Sequence, residues 1–266
     1  MRKRRIWKRN KDTTKLSMIS LLPNMVSLTA ICCGITSLKF ALSEKWELAV
    51  TAIFFAAFFD VIDGMLARML KATSEFGAQL DSLSDFMSFG VAPGFIVYLW
   101  GFKNFGFFGW YSIIIYILCI VIRLARFNAD ITLNKIKYEW QKMFFIGMPS
   151  TIAGALVMLP IILELSDFNL QITHNNLYIT AYPIFIGLLA VSKIPTFSIK
   201  KIKIRKDFLS AIMLATGFTT ILLITYPWTI IPFILAMYLL SIPVSTYTYK
   251  KFIKKEEEIK NNTKIT

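Results

Sequence analysis

Residues 60–85 read DVIDGMLARMLKATSEFGAQLDSLSD, and apolar runs flank them on both sides. Asp60, Asp63, Asp81 and Asp85 therefore stand in segments otherwise suited to a membrane interior. One charged side chain within a membrane span costs about 2.5–3.5 kcal/mol on insertion scales, and four of one sign also repel each other. Arg68 alone is too little compensation, so divalent cations are the natural counter-charge. The spacing supports this. Asp60 and Asp63 are three apart and Asp81 and Asp85 four apart, which puts each pair on one helix face. Gly64, Ala67 and Arg68 share the face of the first pair, and Gly77 shares that of Asp81. The small residues allow close helix approach. Two facing helices then offer four hard oxygen ligands, suited to Mg²⁺ or Mn²⁺. Two such ions about 3.5–4 Å apart stabilise the attacking and leaving oxygens of a phosphoryl displacement.

The rest of the chain fits a membrane setting. Hydrophobic residues make up 56% of it, in runs near 21–42, 47–70, 77–101, 107–127, 147–165, 177–194, 208–225 and 228–247. Runs of this length without period-two alternation exclude a barrel. The expected fold is an all-α integral membrane protein, a polytopic bundle of about eight transmembrane helices. Pro227 and Pro232 interrupt the pattern of the last two. The net charge of +14 is gathered between the runs: Arg2 to Lys15 in the N-terminal arm, then 126–142, 193–206 and 250–255. Alternate connections are nearly bare of Lys and Arg, so both termini and the 71–76 connection are expected in the cytoplasm. The metal site then faces the cytoplasm. No nucleic-acid-binding motif accompanies the basic clusters, which suit anionic lipid surfaces instead. The expected organisation is a basic arm over 1–20, a transmembrane domain over 21–247 with its catalytic core at about 21–195, and a charged, solvated tail over 248–266. The arm lacks a cleavage pattern and reads as retained. Cys32, Cys33 and Cys119 have neither ligand nor disulfide spacing. His174 falls in an outer loop, and Trp46, Trp100 and Trp110 read as interfacial anchors.

The fixed positions Asp60, Asp63, Gly64, Ala67, Arg68, Gly77, Asp81 and Asp85 follow D-x2-D-G-x2-A-R-x8-G-x3-D-x3-D. In this the chain resembles the CDP-alcohol phosphotransferases. The resemblance implies a dimeric helical membrane enzyme with a cytoplasm-facing polar cleft. It implies one metal on Asp60, Asp63 and Asp81, a second on Asp60, Asp81 and Asp85, and Asp85 as general base. Gly64, Arg68, Ser74 and Asn24 would contact the CDP-diacylglycerol donor. Taken alone, Ser74 reads as a loop hydroxyl or helix cap, and Gly64 and Gly77 as packing residues.

Within the family, LLPNMVSLTAICCGITSL, FGAQLDSLSDFMSFGVAP, RLARFN and FFIGMPSTIAGALVMLP look like the serine-using branch found in bacterial membranes. The first helix departs at Ser27, where a threonine is expected after Pro23 and Asn24, but a hydroxyl is retained. The resemblance implies transfer of a phosphatidyl group from CDP-diacylglycerol to L-serine, in a bacterial inner membrane. Arg123 and Arg126, three apart near the end of the fourth helix, are candidates for binding the serine carboxylate or donor phosphates. For Arg126 a charge anchor at the membrane surface is an equal reading. Two alternatives stay open: a same-family transferase using another alcohol such as glycerol 3-phosphate, and a cation-coupled transporter using the aspartates as an ion site.

Overall fold

The computed structural model describes residues 18–72, 74–132, 144–166, 177–197 and 209–263. The N-terminal arm, His174 and most of the basic clusters at 126–142 and 193–206 lie outside the described residues.

Helix α1 (Met18–Leu42) and helix α2 (Trp46–Met69) form an antiparallel hairpin. The small buried side chains Ala41, Ala49, Ala52 and Ala56 lie in the interior there. The expected third and fourth spans are one continuous helical stretch that doubles back. Helix α3 (Glu75–Asp85) passes through a wide π turn (Phe86–Val91) into α4 (Ala92–Val97), a second π turn (Tyr98–Phe102) and a 3₁₀ turn (Lys103–Phe105). Helix α5 (Gly106–Thr132) then runs back alongside. Gly106 makes the reversal at φ +53°, a backbone region that favours glycine. The pairing is antiparallel: the Tyr98 and Trp110 rings are 5.3 Å apart, Gly94 meets Ile113 and Ile117, and Gly90 meets Ile120. The Tyr116 hydroxyl donates to Phe89 O (2.6 Å) inside the first π turn.

The expected helix over 147–165 is broken in two, α6 (Ser150–Val157) and α7 (Leu159–Leu165). Pro160 has no N–H for the carbonyl four residues back, and that carbonyl, Leu156 O, accepts from the Tyr182 hydroxyl at 2.6 Å. A 3₁₀ turn (Leu177–Thr180) leads into α8 (Ala181–Val191), which packs on α5. The fold is not wholly helical. Strand β1 (Phe144–Ile146) pairs antiparallel with β2 (Pro195–Phe197), Phe145 opposite Thr196. The segments entering α6 and leaving α8 meet at the same end of the bundle, where their backbone groups satisfy each other. Helix α9 (Leu209–Thr225) precedes α10 (Pro227–Thr263). Pro227 begins α10 rather than interrupting a helix, as suits a residue without an N–H, and Pro232 and Pro243 lie within it. The stretch read as a tail from 248 is helical to Thr263. Its sequence over 250–260, KKFIKKEEEIK, consists mostly of good helix formers.

The protein is a multi-pass helical membrane protein. Four stretches among the described residues are long and apolar enough to cross a membrane: Leu21–Leu42, Trp46–Met69, Glu75–Ala129 and Pro227–Phe252. The third folds into two legs. The remaining apolar helices are shorter than the about 20 residues of a full crossing. Large apolar side chains such as Phe55, Phe58, Phe107, Leu214 and Ile224 point outward, a surface suited to lipid. Phe89, Ile96, Ile113, Tyr116, Ile120, Leu156 and Ile161 fill the interior. The two ends of the bundle differ. Trp100 donates to Glu164 (2.8 Å) and Trp228 to Glu47 (3.2 Å) at one end, and the aspartates gather toward the other.

Candidate active site

The hairpins bring the four aspartates from two helices toward one another. Single carboxylate oxygens of Asp60, Asp63 and Asp81 lie within 4.8 Å of one another. At that separation each ionised pair repels by about 3.5 kcal/mol at an effective dielectric constant of about 20. Three such pairs call for a cation or a shared proton among them. The donor set is entirely carboxylate oxygen, the chemistry that hard divalent cations select. The cluster thus fits a divalent metal ion.

Two of the four aspartates, Asp63 and Asp85, each accept from a serine. Asp63, 3% exposed, accepts a 2.5 Å hydrogen bond at Oδ2 from Ser27 of α1. Ser27 also lies 3.2 Å from Pro23 O, and its own carbonyl accepts from Ser84 (3.1 Å). The hydroxyl that stands where threonine was expected is therefore in contact with an aspartate of the motif. Asp85 is outside the three-carboxylate group. Its Oδ2 accepts from Ser150 at 2.5 Å, its carboxyl also lies within hydrogen-bonding reach of Asp60, and its Oδ1 is buried with no hydroxyl or N–H donor among the described residues. An unpaired buried carboxylate oxygen is costly unless a proton, cation or substrate group meets it.

A cleft of about 150 Å³ opens beside the cluster. Asn24 and Ser27 of α1, Asp63 and Gly64 of α2, and Ser74 and Asp81 at and within α3 are among its lining residues. A Cβ at Gly64 would meet nothing within 4 Å, so that face of α2 stands open to the cleft. At Gly77 a Cβ would lie 3.1 Å from Asn24 Oδ1 and 3.2 Å from Ser74 Oγ, so the glycine lets α1 and the start of α3 close together. Ser74 caps α3, accepting from Gly77 N–H at 3.0 Å. Arg68, in the last turn of α2, is exposed and is not among the lining residues.

The two candidate arginines of α5 have different surroundings. Arg126 spends both terminal nitrogens on the end of α8, donating to Val191 O (2.6 Å) and Ser192 O (3.3 Å). Arg123 donates Nε to Met148 O and lies within Coulombic reach of Asp85. The segment Gly147–Ser150 is where these contacts converge. Gly147 has φ +81°, donates to Ile194 O (3.0 Å) and accepts from Thr196 (2.9 Å), Met148 O accepts from Arg123, and Ser150 donates to Asp85. Ser150 was not singled out from sequence. The signal available was a serine at a helix start directly after Pro149, inside a segment already resembling the family. Asn128, two residues beyond Arg126, donates to Ser82 Oγ at 2.9 Å and so ties the end of α5 to α3 between Asp81 and Asp85.

The family model for CDP-alcohol phosphatidyltransferase matches residues 20–189. The chain is similar to a protein of Mycobacterium tuberculosis called CDP-diacylglycerol–serine O-phosphatidyltransferase, 30% identical over 85% of this chain and 78% of that protein. Proteins of the same name in Helicobacter pylori and Bacillus subtilis are 32% and 31% identical, over 71% and 69% of this chain and 76% and 93% of their own lengths. The match covers every residue of the cluster and of the cleft, and with them the chain belongs to the CDP-alcohol phosphatidyltransferase family.

Proposed function

We propose that this protein transfers the phosphatidyl group of CDP-diacylglycerol to the hydroxyl of L-serine, giving phosphatidylserine and CMP. The observation that carries this is the aspartate cluster beside an open cleft, in a chain that aligns over most of its length with enzymes named for that reaction.

The acyl chains of the donor stay in lipid while its head group enters the cleft past the open face of Gly64. Arg68, Ser74 and Asn24 contact the CDP part. Asp60, Asp63 and Asp81 hold one Mg²⁺ or Mn²⁺, and Asp60, Asp81 and Asp85 a second. When bound, the ions neutralise the diphosphate and the charge that develops during transfer. Ser27 keeps Asp63 turned toward the cluster. Asp85 takes the hydroxyl proton of serine. The serine oxygen forms a bond to the phosphorus that carries diacylglycerol, the bond from that phosphorus to the CMP oxygen breaks, and CMP departs with its electron pair. Arg123, within Coulombic reach of Asp85, holds the serine carboxylate or a donor phosphate. The contacts of Arg126 favour a structural role for it.

The basic clusters support a setting in a bacterial inner membrane with both termini and the cleft on the cytoplasmic side. Eight helical legs, a domain over 21–247 between a basic arm and a charged tail, and a homodimer complete the proposal. Purified protein supplied with CDP-diacylglycerol, Mg²⁺ or Mn²⁺ and a panel of alcohols tests it. Metal-dependent CMP release that requires L-serine is expected. Serine-independent turnover with glycerol 3-phosphate would replace the acceptor, and absence of CMP release with every alcohol would favour an ion-transport role.

A further inference from the structure

Serine and threonine hydroxyls inside the helices of this protein mostly donate back to a carbonyl three or four residues earlier. Thr29 donates to Met25 O, Thr36 to Cys32 O, Ser37 to Gly34 O and Ser112 to Gly109 O. Such bonds use up the hydroxyl proton within the helix. Ser150 differs by position. It is the first residue of α6, after Pro149, so no preceding helical turn offers it a carbonyl. Its proton goes to Asp85 Oδ2 at 2.5 Å, across 65 residues of chain, and the side chain that supplies it is 3% exposed. The backbone that carries Ser150 is itself held. Two residues earlier Met148 O is bound by Arg123, and Gly147 is tied to Ile194 and Thr196. The donor is thus fixed in position before it meets the carboxylate.

A carboxylate can rotate about its Cβ–Cγ bond and offer either oxygen. With Oδ2 pinned by Ser150, Oδ1 is buried without a hydroxyl or N–H donor among the described residues, and the Asp85 carboxyl lies against that of Asp60, a member of the three-carboxylate group. We propose that Ser150 is a positioning residue for the transfer reaction: by holding Oδ2 of Asp85 it fixes the carboxylate so that Oδ1 is the oxygen turned toward the other aspartates and the hydroxyl of the acceptor. This role rests on the function proposed above, with Asp85 as the proton acceptor. Ser150 itself touches neither substrate nor metal in it. The consequence is a separation of effects. Loss of the hydroxyl slows the chemical step and leaves the donor cleft and the Asp60, Asp63 and Asp81 cluster as they were.

The test compares the full-length parent with Ser150→Ala, Ser150→Thr and Ser150→Cys in detergent micelles containing CDP-diacylglycerol. Four quantities are read: kcat, KM for CDP-diacylglycerol, Mn²⁺ affinity by electron paramagnetic resonance without substrate, and melting temperature. Removing a hydrogen-bond partner behind a reactive ligand costs about 10–100-fold, so Ser150→Ala should lose that much kcat. KM for the donor, and Mn²⁺ affinity at the Asp60, Asp63 and Asp81 site, should stay within about twofold, the pattern of an interaction realised in the transition state, whereas occupancy of a second site that uses Asp85 is free to weaken. Ser150→Thr, which keeps the hydroxyl, should recover most of kcat, and Ser150→Cys, a weak donor of similar size, should fall between. The proposal is overturned if Ser150→Ala keeps the parent's kcat, if Ser150→Thr is as slow as Ser150→Ala while melting like the parent, or if Mn²⁺ affinity at the Asp60, Asp63 and Asp81 site falls in step with kcat. Should Ser150→Ala fail to fold, equal kcat for Ser150→Cys and the parent would overturn it as well. A parent enzyme that prefers another alcohol would instead correct the acceptor, since the same variants read the hydroxyl with whichever alcohol is used.

Discussion

Gly147→Ala is expected to destabilise the protein by about 2–5 kcal/mol. Two costs combine. At φ +81° an L-residue pays roughly 1–2 kcal/mol for a left-handed backbone conformation. The new Cβ would also sit 2.7 Å from Ala190 O and 2.9 Å from Ser192 O. Both are backbone atoms, and Ser192 O is held by Arg126, so relief requires moving the end of α8 or the β1–α6 junction. Overpacking of that kind costs about 1–3 kcal/mol. At about 2–4 °C per kcal/mol, the melting temperature should fall by roughly 4–20 °C. The assay is thermal unfolding of detergent-solubilised protein followed by tryptophan fluorescence, with Gly217→Ala as control. Gly217 lies in α9 with open space where its Cβ would go, so alanine there should be neutral or stabilising. A Gly147→Ala protein that melts with its parent would refute the account of this junction. Activity should fall with stability, because Met148 and Ser150 follow directly and carry the contacts to Arg123 and Asp85.

Gly64→Ala separates binding from stability in the opposite way: the Cβ has room, so melting should be unchanged or slightly raised, while KM for CDP-diacylglycerol should rise at least about tenfold, about 1.4 kcal/mol. Unchanged donor kinetics would show that this face of α2 does not meet the donor. Arg126→Ala should lower stability by about 1.5–3 kcal/mol through two carbonyls left without a charged donor, with KM for serine unaffected. Arg123→Ala should raise the apparent KM for serine or the donor, and unchanged values for both would remove Arg123 from the binding site.

The part of the site legible in the sequence is the part written within a turn or two of helix. Asp60 with Asp63, and Asp81 with Asp85, announce a shared face through spacing alone, and the cost of burying them in apolar runs announces a cation. The helical hairpins were legible for the same reason, since each leg is a long apolar run. Contacts between distant segments left no such trace. Nothing local marks Ser150 as the partner of Asp85, or Tyr182 as the partner of the carbonyl freed by Pro160. The β1–β2 pairing joins two connections with no strand-like alternation, and the helical continuation to Thr263 was hidden by reading charge as the end of structure. Ser74 shows both readings at once, being a helix cap and a wall of the cleft.

The Ser150–Asp85 contact also sets an order of events during biosynthesis. Ser27 and Asp63 are 36 residues apart, and both belong to the first hairpin. Ser150 follows Asp85 by 65 residues, an interval of about 3–13 s at translation rates of roughly 5–20 residues per second. The Asp60, Asp63 and Asp81 cluster is therefore present in the nascent chain well before the serine that holds Asp85.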